Sequence, residues 1–102
     1  MRDRRSEPRF PVDQSVVVTV LDTGEREPFE GTVVDLSASG LGVRVPYSID
    51  LGRRVEIRWS RGTVIAEVRN CLRMSSHNYR VGLKTSEVLA LAEIAGSIGG
   101  AL

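Results

Sequence analysis

Cysteine and histidine are nearly missing from this 102-residue chain, which holds one of each, Cys71 and His77. One thiol excludes an internal disulfide and any zinc site built on several cysteines. One imidazole excludes multi-histidine metal sites and leaves no triad to assemble. Aromatic residues are also scarce, at 5% of the chain, and most fall at core-facing alternations. A small β-barrel that binds single-stranded nucleic acid needs exposed rings on which bases stack, so that class is disfavoured. Net charge is close to absent at +1, which argues against nucleic-acid binding by bulk electrostatics. No apolar run approaches the roughly 18 residues of a membrane span, and no secretion signal opens the chain, so a cytoplasmic location is expected. No acid/base pair, nucleophile–base pair or metal cluster can be assembled either, so the expectation is a protein that is not an enzyme.

What is present suits an ordinary globular domain: 41% hydrophobic and 26% charged residues in a length that accommodates one core. The basic residues are lopsided, since 13 of the 14 are arginine and only Lys84 is lysine. Arginine offers a planar fork suited to phosphates and base edges. Residues 1–10, MRDRRSEPRF, contain almost nothing apolar to bury, and Pro8 and Pro11 break any helix. They read as a flexible arginine-rich arm, leaving 11–102 as the folded domain. Alternation begins at Val16, Val18 and Val20, a β-branched strand followed by the turn Asp22-Thr23-Gly24-Glu25. Further strands are expected from Phe29 to Leu36, Leu41 to Val45, Arg54 to Trp59, Thr63 to Met74 and His77 to Thr85. After Thr85 the period changes. Thr85 or Ser86 can cap a helix, and VLALAEIA has high helix propensity, so a helix is expected over about 86–98. Its apolar positions wrap far around the circumference, which favours self-association as a homodimer, or docking, through its outer face. Six short strands and one terminal helix point to a mostly β fold, a small antiparallel barrel or sandwich.

Two local patterns carry chemical information. Arg5-Ser6-Glu7-Pro8-Arg9 is an RxxxR spacing preceded by Arg4, and Asp35-Leu36-Ser37-Ala38-Ser39-Gly40 is a DxSxxG turn between two strands. The first is weak alone, because Arg54/Arg58 and Arg69/Arg73 repeat the spacing. The second sets a carboxylate, a hydroxyl and a glycine at fixed offsets, yet alone it also suits a polar hairpin whose side chains bond turn amides. Their order gives them weight: the arm comes first, the turn lies between the second and third strands, and Tyr79-Arg80-Val81-Gly82-Leu83 forms the last strand.

In this combination the chain resembles the PilZ domain, a bacterial receptor module for the second messenger cyclic di-GMP. The resemblance runs from Arg4 to about Ile98. It implies a six-stranded antiparallel, split-barrel β fold with a C-terminal α-helix. It also implies that Arg5, Arg9, Asp35, Ser37 and Gly40 contact cyclic di-GMP; lacking side chains, Gly42 and Gly82 can keep the barrel surface open to a flat base. Arg4, just before RxxxR, is implied to meet a second nucleotide of an intercalated dimer. The chemistry suits such a ligand. Guanidinium groups bond phosphates bidentately, grip guanine O6 and N7 and stack on purines. Asp35 can accept from guanine N1–H and N2–H₂ or orient an arginine, and Ser37 can bond a phosphate or base edge. Gly40 permits a turn conformation that a Cβ would resist.

The leading expectation is therefore a sensor with no cofactor, in which ligand binding reorders the arm and an effector protein reads the new surface. The alternative is a PilZ-like protein-interaction module that works without nucleotide, and the intact motifs count against it. Trp59, Cys71 and His77 read as structural. Residues 53–84 hold eight basic and two acidic side chains, a patch that can be the far wall of the ligand site or a docking surface.

Overall fold

The computed structural model describes residues 8–22 and 27–85. Six strands are formed: β1 (Phe10–Val20), β2 (Phe29–Leu36), β3 (Gly40–Val45), β4 (Arg54–Trp59), β5 (Gly62–Ser75) and β6 (Asn78–Lys84). Each pairs antiparallel with two neighbours in the order β1-β2-β3-β6-β5-β4, which closes into a ring. Closure leaves the sheet without a long unpaired edge. The helix expected over 86–98 lies outside the described residues.

The period-two pattern decides which side chains enter the ring. Val16, Val18 and Val20 of β1, Val43 of β3, Val55 and Ile57 of β4, Val64 and Val68 of β5 and Val81 of β6 are all buried. Valine dominates because its branched Cβ fits the pleat, and each such side chain contributes about 1.5–3 kcal/mol when fully buried. Trp59 closes this core at the end of β4 and is also buried.

Several strand ends differ from the sequence expectation: β3 starts at Gly40, β5 runs from Gly62 to Ser75 and β6 ends at Lys84, each one residue away, and two starts differ for a structural reason. β1 begins at Phe10, ahead of the alternation that starts at Val16. Its first residues are mostly exposed and include Pro11, with only Val12 among their apolar side chains packed against the core. They are strand because Phe10 and Pro11 pair with Leu36 and Asp35, with an irregularity before Gln14. β6 begins at Asn78, not at His77, because His77 takes a left-handed φ of 58° in the turn from β5. Histidine is among the residues enriched in that region.

The register builds one row across the outer wall. Asp35 on β2 lies opposite Gly42 on β3, Gly42 opposite Gly82 on β6, and Gly82 opposite Asn70 on β5. Leu36, Val43 and Val81, the chain neighbours of Asp35, Gly42 and Gly82, are buried, so the row points outward; irregularities in register between Val33 and Asp35 and between Val68 and Asn70 turn it there although Val33 and Val68 are also buried.

Candidate ligand-binding cleft

The outward row lies at the ends of β2 and β6 and the beginning of β3, beside the turn that joins β2 to β3. In that turn the Ser37 amide donates to the Gly40 carbonyl at 2.9 Å. The Thr85 amide donates to the Ser39 carbonyl at 2.9 Å, fastening the end of β6 to the same turn. Gly40 is required here for a reason the sequence did not reveal. A Cβ on Gly40 would stand 2.2 Å from the Leu83 carbonyl oxygen, inside the backbone of β6. Its φ is not positive, so close approach to a neighbouring strand fixes the glycine, not a special turn conformation.

Asp35 is the centre of the polar arrangement. Its side chain is only 10% exposed, yet it carries a carboxylate, which such burial tolerates only when the charge is paired. Two arginines pair it. Arg9 Nη2 donates to Oδ1 and Arg80 Nη2 donates to Oδ2. Arg9 Nη1 also donates to Ser37 Oγ over a long 3.5 Å, and Ser37 Oγ stands at 3.5 Å from the Gly40 carbonyl. The second arginine of RxxxR and the acid and hydroxyl of DxSxxG therefore meet, although 26 or more residues separate them in sequence.

The glycines on the row are covered by their polar neighbours. A Cβ on Gly42 would lie 2.9 and 3.0 Å from the two Asp35 carboxylate oxygens, and one on Gly82 would lie 2.6 Å from Asn70 Nδ2. Each glycine is thus a shelf on which the end of a longer side chain rests. The surface at Gly82 is not bare, as a purely sequence-based reading has it; the Asn70 amide occupies it.

Together these residues line a cavity of about 420 Å³. Arg9, Arg69, Arg80 and Lys84 face Asp35 there as four cations to one acid, with Ser37, Ser39 and Asn70 supplying uncharged polar groups. Such a lining suits an anionic ligand that also presents hydrogen-bonding edges. Of the residues singled out from sequence, Arg9, Asp35, Ser37, Gly40 and Gly82 come together in this lining. Arg4 and Arg5 lie outside the described residues. Arg80, Asn70 and Arg69 were not singled out. Arg80 reads in sequence as one of several exposed alternating residues, and only its count within the basic patch of 53–84 hinted at a role. The structure divides that patch. Arg69, Arg80 and Lys84 line the cleft, while Arg54 stands 3.8 Å from Asp22 and Arg58 3.9 Å from Glu56.

A larger cavity of about 1140 Å³ lies at the other ends of β2, β3 and β6, lined by Val16, Gly31, Val45, Trp59 and Asn78 among others. It contains none of the motif residues. Among the described residues no cluster of three His, Cys, Asp or Glu side chains is placed to hold a metal ion.

A closed antiparallel β ring with a basic, polar cleft on its outer wall defines the class of this domain. The family model of the PilZ domain matches residues 3–94, and the chain belongs to that family. Solved structures share the fold at low identity. The inhibitor of motility MotI/DgrA of Bacillus subtilis is 20% identical, over 90% of this chain and 49% of its own, with a TM-score of 0.61. MrkH of K. pneumonia, solved as a complex with c-di-GMP, is 14% identical over 95% of this chain and 51% of its own, with a TM-score of 0.64. The PilZ domain of YcgR from Escherichia coli, solved with c-di-GMP, is 13% identical over 93% of this chain and 96% of that one, with a TM-score of 0.59. The chain thus spans about half the length of the first two. No curated protein matches it.

Proposed function

We propose that this domain is a receptor for cyclic di-GMP and that it works by binding, not catalysis. The observation that carries the reading is the meeting of Arg9 with Asp35 and Ser37 in one basic cleft of a PilZ domain. The c-di-GMP complexes of MrkH and YcgR, which share the fold, support the choice of ligand. In this reading Arg5 and Arg9 grip phosphates and the Hoogsteen edge of guanine, and Asp35 accepts from its N1–H and N2–H₂. Ser37 adds a hydroxyl bond, Gly40 keeps the turn close against β6, the ligand reaches the wall at Gly82 by displacing the Asn70 amide, and Arg4 meets a second, intercalated nucleotide.

Ligand entry then exchanges partners. Arg9 now spends its guanidinium on Asp35 and Ser37, and a phosphate competes for the same donors. The arm that carries Arg4, Arg5 and Arg9 is redrawn over the cleft, and an effector protein reads the resulting surface. We place the domain in the cytoplasm; among the described residues no helix is long and apolar enough to cross a membrane. Self-association through 86–98 is a further element of the proposal, tested by sedimentation of wild type beside Leu91→Glu and Ile94→Glu.

Calorimetric titration with cyclic di-GMP tests the central claim. The expected result is saturable binding with two nucleotides per chain and no comparable heat with GTP or GMP. Equal affinity for GTP, or no binding, would overturn it and leave a protein-interaction module. Amide exchange of residues 4–9 with and without ligand tests the arm, which is expected to gain protection on binding.

A further inference from the structure

We propose that Arg80 is a positioning residue that holds the Asp35 carboxylate from the sheet side, and that Gly42 is the gap through which it reaches. The inference rests on the ligand reading above and adds a residue outside both sequence motifs.

The geometry is specific. Asp35 is on β2 and Arg80 on β6, with β3 between them. Adjacent strands lie about 4.8 Å apart, so the two backbones are separated by roughly 10 Å, and a side chain joining them must pass over β3. The residue under that path is Gly42, the direct partner of Asp35. A Cβ there would approach both carboxylate oxygens to within 2.9 and 3.0 Å and press the acid away from its arginine. The absence of a side chain at Gly42 lets the carboxylate lie flat on β3 and present Oδ2 to Arg80. Arg80 has its own reason to lean this way. Its partner on β3 is Arg44, and directly opposed like charges are destabilising. Reaching over Gly42 takes its guanidinium from a cation to an anion.

The two arginines on Asp35 are not equivalent. Arg9 precedes β1 and donates to Asp35 and Ser37. Arg80 is inside a strand paired on both sides, with Arg44 on β3 and Leu72 on β5. When Arg9 turns to a phosphate, Oδ1 of a nearly buried carboxylate is released. Without Arg80 that charge would be left unpaired, a costly state. With Arg80 on Oδ2 the carboxylate keeps a partner and its orientation, and the freed Oδ1 is left to accept from a base. Guanine offers N–H donors on its Watson–Crick edge that adenine does not arrange in the same way. Arg80 therefore acts through Asp35 on the choice of base.

The test is a set of titrations with cyclic di-GMP and cyclic di-AMP on wild type, Arg80→Ala, Arg80→Lys, Gly42→Ala, Asp35→Ala and Arg80→Ala/Asp35→Ala. Arg80→Ala is expected to weaken cyclic di-GMP binding by roughly tenfold and to lower its preference over cyclic di-AMP, with the melting transition still cooperative. Arg80→Lys, which can keep one bond, is expected to restore part of the preference, and Gly42→Ala to lose it as Arg80→Ala does. The double variant is expected to bind no worse than Asp35→Ala alone, because the two residues act as a unit. Equal losses for both dinucleotides, or losses that add to those of Asp35→Ala, would overturn the proposal in favour of a plain charge contact. Unchanged affinity in Arg80→Ala would also overturn it. If wild type binds neither ligand, the receptor reading fails instead. The Arg80–Asp35 unit is then judged by urea unfolding of the same four-member cycle, where additive effects would overturn it.

Discussion

The two cavities of this domain sit at opposite ends of β2, β3 and β6, and they differ in a way that volume does not express. The larger, about 1140 Å³, has in its lining two buried polar atoms that find no partner among the described residues, Trp59 Nε1 and Asn78 Oδ1. The smaller, about 420 Å³, holds a carboxylate with an arginine on each oxygen. A buried polar atom with no charged neighbour offers a ligand little to exchange. A paired carboxylate whose partners can be exchanged is a device that a ligand can enter. What separates the two ends is donors and acceptors arranged to be traded, not empty space.

This contrast is open to attack by substitution. Asp35→Ala should do most damage, weakening cyclic di-GMP binding by roughly tenfold to a hundredfold, since charge-assisted hydrogen bonds contribute about 1.5–3 kcal/mol each. Calorimetry reads the loss, and a folded variant with wild-type affinity would remove Asp35 from the site. Arg9→Ala should cost about tenfold at the same cleft. Gly40→Ala acts on stability: a Cβ meeting the Leu83 carbonyl oxygen at 2.2 Å must push β3 from β6. Overpacking of this kind costs about 1–3 kcal/mol. In a domain this small each kcal/mol lowers Tm by roughly 4–8 °C, which a thermal melt detects. Trp59→Phe at the other cavity should move least. It deletes an indole N–H that has no partner among the described residues and lies in the lining of the other cavity, so affinity for cyclic di-GMP should stay within about twofold of wild type. A large loss there would mean that the two ends are coupled.

The fold was legible to different depths in different strands. β4 was readable almost residue by residue, because Val55, Ile57 and Trp59 alternate with Arg54, Glu56 and Arg58 and the register needs nothing else. The start of β1 was not, because Pro11 and Gln14 interrupt any apolar alternation in the sequence and the segment from Phe10 to Ser15 shows itself as strand through pairing with β2. Whether the strands made a barrel or a sandwich was likewise open to the pattern alone, since both bury one face of each strand. Pairing of β1 with β4 as well as β2 decides it.

The cleft divides along the same line. The chain by itself determined which chemistry is present: an arginine before the first strand, a DxSxxG turn between the second and third, and a surplus of arginine over lysine. Side-chain type and turn geometry are local properties, so they can be read locally. Only the tertiary structure decided which of the many arginines matter. Arg80, Arg58 and Arg73 look alike in sequence, each on a strand of alternating residues. Arg80 alone among these three lies one strand from Gly42 and two from Asp35, and the ring's register brings it to the carboxylate. The same register decided why Gly40 and Gly42 are glycines. One lies against the β6 backbone and the other beneath an acid, and both contacts come from strands brought together only by folding.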